Sequence, residues 1–523
     1  MWNRNWREKV WTQLDGEFDL IVIGGGITGA GILREAARAG LKAVLFEQGD
    51  FASGTSSRSS KLVHGGLRYL KNAQIKLTWE SVHEREHLLK EGRGLVTPLP
   101  FVMANFRGDH TPGWVFGLGL TVYDIMAFKW NHASYDIAGL RELVPQLTST
   151  EMVSGFRYFD AQTDDARLVL RVLQEASKDS ALALNYARVE GLLKTRNRVC
   201  GVAIRDLDGS GRTMEVRARA VVSATGAWAD EMRNHLGGRT RLRLLRGSHI
   251  FLPQSKLPLT RAVTFLHPED SRPVYILPWE GMMLVGTTDV DHKTGPSTDL
   301  HISQAESEYL MAAVTHAFPD MGLTQADVQS SLAGVRAVVN TGKSDPSKES
   351  REFVLWNESG LLTVSGGKLT TFRLMAQTAL RAVRAALPEH PHLGSDERVL
   401  DPLLPESSLT DAPAEFRLRL MGRYGAQACN LVEAAQPGEM QAIAGSPSLW
   451  AELRWAARNE GVVHLDDLLA RRVRLNINLP GGGMDEIEKI RKIVQPELGW
   501  NDERWEQESE RYRQMWKEYY SPI

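Results

Sequence analysis

Residues 18–23 (FDLIVI) form a short apolar run broken only by Asp19, the pattern of a parallel strand covered on both faces. Glycines follow at 24–29 (GGGITG). Apolar positions then recur at helical spacing from 27 to 39 and stop at Gly40, a natural helix end. A second apolar run, 43–46 (AVLF), closes on Glu47. Strand, glycine turn, helix and strand in that order predict a βαβ unit at the start of the fold. Two later stretches repeat the strand-then-glycine signal. Residues 216–224 run into Ala224-Thr225-Gly226. Residues 361–364 run into Gly366-Gly367-Lys368, with a helical pattern over 373–386. The first domain is therefore predicted from separated pieces of chain, 17–90, 150–230 and 331–390. The intervening 91–149 and 231–330 carry alternating runs such as 274–277 and 283–286, and predict a second, mainly antiparallel sheet. Residues 401–405 (DPLLP) read as a linker. Beyond them, 400–523 is rich in helix formers and tryptophans, which predicts a separate helical domain.

Composition narrows the class. A chain of 523 residues exceeds one core, and two or three domains are expected. A net charge of -2 leaves no basic footprint for a nucleic-acid partner. Two cysteines, Cys200 and Cys429, offer no disulfide framework and point to a reducing compartment. The N-terminus lacks the apolar core of a secretory signal. The most apolar stretch, 113–128 (GWVFGLGLTVYDIMAF), is short for a bilayer span and carries Asp124, so any membrane contact is expected to be peripheral. Trp2, Trp6 and Val10 share a helical face with Arg4, Arg7 and Lys9 between them. That face suits an interfacial helix and a helix docked on the protein equally well. The tail 505–520 poses the same question, with its acidic residues weighing against lipid. Arg239, Arg241 and Arg243 alternate, as on a solvated strand edge or a face for anionic headgroups.

The first turn carries the chemistry. Gly24, Gly26 and Gly29 match G-x-G-x-x-G, around Ile27 and Thr28. The first glycine permits the tight turn, the second admits a pyrophosphate, and the third lets helix pack on strand. The helix N-terminus offers N–H groups and partial positive charge to the phosphates. Glu47, 23 residues after Gly24, is placed to accept the ribose hydroxyls. The choice between a nicotinamide and a flavin turns on two later segments. Thr55, Ser56, Ser57, Ser59 and Ser60 surround Arg58 and Lys61, a run suited to a pyrophosphate and ribityl chain, or else a polar loop. Segment 366–371 (GGKLTT) offers a second helix start with Lys368. A flavin ring needs such positive charge where reduction leaves negative charge, and a nicotinamide does not. Both segments favour FAD. His83-Glu-Arg-Glu-His87 fits the zincin pattern H-E-x-x-H, but without an identifiable third ligand it reads as a solvated helix surface, and no metal is expected.

Segment 57–70 (SRSSKLVHGGLRYL) closely resembles the signature of the FAD-dependent glycerol-3-phosphate dehydrogenases, within the D-amino-acid oxidase superfamily. Further matches fall in the family's order at 163–168 (TDDARL), 224–228 (ATGAW), 247–250 (GSHI), 285–289 (VGTTD), 334–336 (GVR) and 366–370 (GGKLT). The resemblance implies a glutathione-reductase-like FAD-binding Rossmann domain interleaved with an antiparallel-sheet substrate domain, plus a C-terminal helical domain. It implies a noncovalent FAD contacted by the residues above and by Leu62, His64, Val189, Thr225, Gly226, Gly367, Lys368, Leu369 and Thr370. It also implies sn-glycerol 3-phosphate as substrate, held by Arg68, Tyr69, His249, Arg336, Arg351 and Lys368. The implied reaction is hydride transfer from substrate C2 to FAD N5. The implied electron acceptor is a quinone, and the implied location is the cytoplasmic membrane face. A homodimer stays open.

The residue chemistry agrees. A phosphate dianion calls for guanidinium forks. Proton removal near neutrality favours a histidine. His249 is the first candidate base and His64 the second; Arg336 and Lys368 complete the expected catalytic set. Three rivals remain: an oxidase of the same substrate that reduces oxygen to peroxide, an amine or amino-acid oxidase, and a catalytically silent scaffold.

Overall fold

The computed structural model describes residues 2–67, 74–298, 300–343, 349, 352–389 and 398–523. The strand Glu17–Ile23 lies at the centre of the first sheet. It pairs in parallel with Ala43–Phe46 on one side and Thr213–Ser223 on the other. Leu182–Leu184 extends the parallel layer beyond Ala43–Phe46, and Leu361–Ser365 extends it beyond Thr213–Ser223. Antiparallel strands Val354–Glu358, Arg198–Asp206 and Ala187–Thr195 complete it. Leu20, Ile21 and Val22 are wholly buried, as a run covered on both faces requires. The helix Ile27–Arg38 covers one face, flanked by helices Asp165–Lys178 and Phe372–Val383. Close packing there depends on Gly31, whose added Cβ would lie 2.8 Å from the Phe372 ring.

The second sheet is mainly antiparallel. Leu242–Pro253 pairs along its length with Ser330–Val339 and also with Met282–Gly286. The sheet continues through Pro273–Trp279, Ala262–Leu266, Val96–Phe106 and Met152–Thr163. Two strands correct the sequence division. Met152–Thr163 and Ser330–Val339 fall in stretches expected in the nucleotide domain, yet both hydrogen-bond into this second sheet. Their partners are Val96–Phe106 and Leu242–Pro253, and pairing at such separation leaves no local signal.

The C-terminal region is helical, around Trp450, Leu453, Trp505 and Tyr512. It is not isolated. Ile477 and Tyr520 share a core with Phe251, Trp279 and Leu284 of the second sheet. The tail 505–520 is thus docked, with Trp505, Tyr512 and Tyr520 buried. The N-terminal helix Trp6–Gln13 is docked too: Trp2, Trp6 and Val10 are buried, and Trp2 packs 4.9 Å from the Phe51 ring. The helix Ile75–Glu91 departs from the solvated surface expected of it. Glu84 and Arg85 are buried on Arg373 and Asp160. Of the alternating arginines, Arg243 pairs with Asp291 at 2.5 Å and Arg241 lies over the Trp356 ring. No described helix is long and apolar enough to cross a membrane.

Candidate active site

The end of the strand Glu17–Ile23 turns at Gly24, whose φ of +107° and approach to Ala224 O exclude a side chain. Gly29 sits so close to the same turn that its added Cβ would lie 1.9 Å from Gly24 O. The helix N-terminus is thereby drawn onto the turn, and Ile27 N donates to Ser56 Oγ at 3.0 Å. Glu47 is fixed in place. Its carboxylate accepts from Gly25 N at 2.6 Å and Gly49 N at 2.8 Å. Burial raises its pKa, and the two backbone N–H groups oppose that shift.

The hydroxyl loop follows. Ser59 donates from its backbone N and its Oγ to Asp165 Oδ2, at 3.0 and 2.7 Å. Thr55 Oγ1 donates to Val335 O at 2.5 Å. Ser60 Oγ meets His249 Nε2 at 2.8 Å, so the loop reaches from the nucleotide cradle to the second sheet. Lys61 is completely buried, with Nζ 2.8 Å from Asp165 and 2.7 Å from Ser57 O. Burial and the nearby Arg474 bring its pKa down to about 8, against the pull of Asp165.

A cavity of about 2650 Å³ joins these parts to the second sheet. Gly24, Gly26, Ile27, Thr28, Glu47, Thr55, Ser56, Ser59, Ser60, Leu62, His64, Val189, Thr225, Gly226, Gly367, Lys368, Leu369 and Thr370 all line it. Gly29, Ser57 and Lys61 do not. Gly29 is consumed by helix packing. Lys61 faces inward to Asp165 and to Ser57 O, and the pair braces the loop from behind. The glycine cradle, the fixed acid and the hydroxyl loop fit the diphosphate, ribose and ribityl parts of FAD. The turn at 366–367, with φ of +76° and +80°, brings Lys368 to the far part of the same wall.

His249 and Arg336 come from neighbouring strands of the second sheet and both line the cavity. Each needs a glycine beside it. A Cβ on Gly286 would fall 2.1 Å from His249 Cδ2, and one on Gly247 would fall 2.3 Å from Arg336 Nη2. Arg336 Nη2 donates to Thr288 O at 3.1 Å and lies 3.6 Å from Asp289. Lys368 Nζ donates to Ser81 Oγ at 3.3 Å. Thr370 Oγ1 donates to His64 O at 3.3 Å, which ties His64 to the 366–371 turn. Burial, then Lys61 and Arg336, lower His249 to about 3. That value weakens it as a proton acceptor. Arg68, Tyr69 and Arg351 lie outside the described residues. Sequence reasoning missed Arg188 on the wall, and Asp289, Gly247 and Gly286 entered it only inside longer matches, without a role for any of them.

Comparison with known proteins places this geometry. The profile of the "FAD dependent oxidoreductase" family matches residues 19–373, and that of the "C-terminal domain of alpha-glycerophosphate oxidase" matches 366–505. The aerobic glycerol-3-phosphate dehydrogenase of Staphylococcus haemolyticus is 34% identical, over 92% of this chain and 90% of that one. Glycerol-3-phosphate dehydrogenase 2 of Mycobacterium tuberculosis is 33% identical, over 94% and 87%. The crystal structure of the glycerol-3-phosphate dehydrogenase from Bacillus halodurans, complexed with FAD, superposes with a TM-score of 0.81 at 27% identity, over 99% of this chain and 98% of that one.

Proposed function

We infer, for a chain that belongs to the FAD-dependent glycerol-3-phosphate dehydrogenases and uses FAD as its cofactor, that it oxidises sn-glycerol 3-phosphate to dihydroxyacetone phosphate and passes the electrons to a membrane quinone. The observation that carries the reading is one continuous cavity. It runs from the glycine cradle at Gly24 and Gly26 to Arg336, His249 and Lys368. FAD, when bound, supplies the hydride acceptor for C2 of the substrate.

The remaining work falls to side chains. Arg336 offers a guanidinium fork to the phosphate, with its direction set by Thr288 O and Asp289. Lys368 supplies positive charge at the 366–371 turn, where the reduced ring carries negative charge. The substrate hydroxyl must lose a proton. His249 stays neutral down to about pH 3 and is held by Ser60, so its role is to hydrogen-bond and orient the alcohol. His64, on the cavity wall beside the same turn, takes the proton. Arg68, Tyr69 and Arg351 join the substrate contacts on family resemblance alone.

The quinone reading draws support from an apolar surface at the cavity mouth. Trp114, Leu118 and Ile125 share one face of the helix Gly113–Ala127 and are exposed, Trp114 by 71%. Phe128, 78% exposed, packs against Trp79, and Ile75 and Leu118 also line the cavity. An apolar surface of this kind marks a contact with lipid or protein, and a lipid-soluble acceptor needs such an approach. The enzyme is thus read as peripheral to the membrane, and the cytoplasmic face rests on family resemblance alone.

The test is anaerobic. Adding sn-glycerol 3-phosphate to the purified protein should bleach the oxidised-flavin absorbance. A quinone analogue should restore it much faster than air does. Rapid reoxidation by oxygen with peroxide release would make it an oxidase, and an unchanged spectrum would remove the substrate assignment.

A further inference from the structure

No described residue beyond Thr370 lines the flavin cavity, yet buried arginines of the helical domain hold both segments that form its nucleotide end. The turn after Glu47 is anchored through Asp50, which is wholly buried. Arg472 grips both Asp50 oxygens, with Nη2 at 2.9 Å from Oδ1, and Arg471 Nε lies 2.5 Å from Oδ2. Asp50 O in turn accepts from Ser53 N at 3.1 Å, within the same turn. The hydroxyl loop is anchored by Arg474. Its Nη2 donates to Ser57 O at 2.9 Å and lies 3.4 Å from Asp165, the carboxylate that also holds Ser59 and Lys61. Arg423 closes the set on the neighbouring Asp164 at 3.0 Å. Farther along, Tyr519 and Tyr520 pack over Arg58, and Tyr520 O accepts from Ser331 N at 2.8 Å.

These contacts differ from ordinary domain packing in where they end. Those of Arg471 and Arg472 with Asp50, and of Arg474 with Ser57 O, end on a carboxylate or backbone carbonyl of the two loops, one or two residues from a side chain that faces the cavity. Ser57 precedes Ser59 and Ser60, and Asp50 follows Glu47, Gln48 and Gly49. Ionic anchors in a dry interior are costly to break from one side, because the remaining partner is left charged and buried. We propose that the C-terminal helical domain is the outer clamp of the flavin site. Arg471 and Arg472 position the turn behind Glu47, and Arg474 positions the loop 55–61, so that FAD retention is set by a domain that supplies no atom to the cavity. All are positioning residues. The proposal concerns FAD alone and holds for any substrate or electron acceptor.

Full-length holoprotein carrying Arg474→Lys or Arg471→Lys tests it, since lysine keeps the charge and loses the fork. Release of FAD, followed by the rise of its fluorescence on dilution, should accelerate about tenfold in each, the scale of one charge-assisted hydrogen bond. In amide exchange of the flavin-free proteins, loop 55–61 should open in Arg474→Lys and the 47–50 turn in Arg471→Lys. The helix Asp502–Tyr519 should keep its protection in both. Wild-type release rates in both variants would overturn the clamp. So would loosening spread equally over Asp502–Tyr519, which marks a general loss of fold. A third observation needs no variant: in flavin-free wild-type protein the loop 55–61 should already be protected, and an unprotected loop there refutes the proposal. None of these readouts involves glycerol phosphate, so their failure leaves the substrate reading standing, and the reverse holds.

Discussion

Ser60 Oγ lies 2.8 Å from Nε2 of His249, joining the flavin-side loop to the substrate-side sheet through one hydrogen bond. Its neighbours decide what this histidine does. Burial, and then the cationic Lys61 and Arg336 near it, lower it to about 3 from an ordinary 6.5. The unfolded chain therefore binds a proton that the folded chain refuses over that interval. The folded pKa is depressed, so His249 costs no stability above about pH 6.5, and stability is lost progressively as pH falls from there towards about 3. Denaturant midpoints measured from pH 8 to pH 4 should fall less steeply for His249→Asn than for wild type. Parallel curves would mean that His249 titrates normally.

In the proposed reaction the two histidines divide the catalytic work unequally. His64→Asn should lower kcat by about 10²–10⁴-fold, the usual contribution of a positioned proton acceptor. It should also remove the limb of the pH–rate profile that belongs to that acceptor. His249→Asn should raise KM more than it lowers kcat and leave the limb in place. Stopped-flow bleaching of the flavin under anaerobic conditions reads both. The reverse ranking would return the base role to His249.

Arg336 is the proposed phosphate contact. Arg336→Ala should raise the KM for sn-glycerol 3-phosphate by about 10²-fold while the flavin content of the purified protein stays at wild-type level, since a charge-assisted pair contributes on that scale. Arg336→Lys should recover only part, because an ammonium lacks the fork. Unaltered KM in the alanine variant would place the phosphate elsewhere in the cavity.

Much of the nucleotide end was legible in the chain. The run 18–23, the glycines 24–29 and the acid at 47 follow one another at fixed spacing, and local order is what a βαβ unit requires. Lys61 shows where that legibility stops. In sequence it stands among hydroxyls like a phosphate ligand, but Asp165, 104 positions away, draws it into the interior. The roles of Gly247 and Gly286 cannot be read from the chain, although both fall in matched motifs, because the side chains they make room for, Arg336 and His249, arrive from other strands. The clamp arginines sit in a helical region whose tryptophans advertise only a core.

Glu47 offers a check on the cofactor end. Its carboxylate accepts from Gly25 N and Gly49 N, which fixes it on the cavity wall. Glu47→Ala should weaken FAD binding by about 10–100-fold, the loss of one or two hydrogen bonds to a charged group together with the ordering of the turn. Titration of flavin-free protein with FAD, read by fluorescence quenching, measures it. An unchanged dissociation constant would put the ribose contact on another residue.

If the apolar face of Gly113–Ala127 is where the proposed quinone arrives, it separates catalysis from delivery of electrons. Trp114 and Phe128 are exposed and do not line the cavity that holds Arg336 and His249, so polar substitutions there leave the substrate end untouched. Trp114→Ser combined with Phe128→Ser should reduce cosedimentation with phospholipid vesicles by about tenfold, since burying one large apolar side chain contributes on that scale. Anaerobic bleaching by sn-glycerol 3-phosphate should stay at wild-type rate, whereas turnover with a quinone embedded in the same vesicles should fall in parallel with binding. Retained vesicle binding would mean that another surface meets the lipid. Retained quinone turnover after binding is lost would mean that the acceptor does not arrive through the bilayer, because only a docked enzyme can draw on a pool dissolved in it.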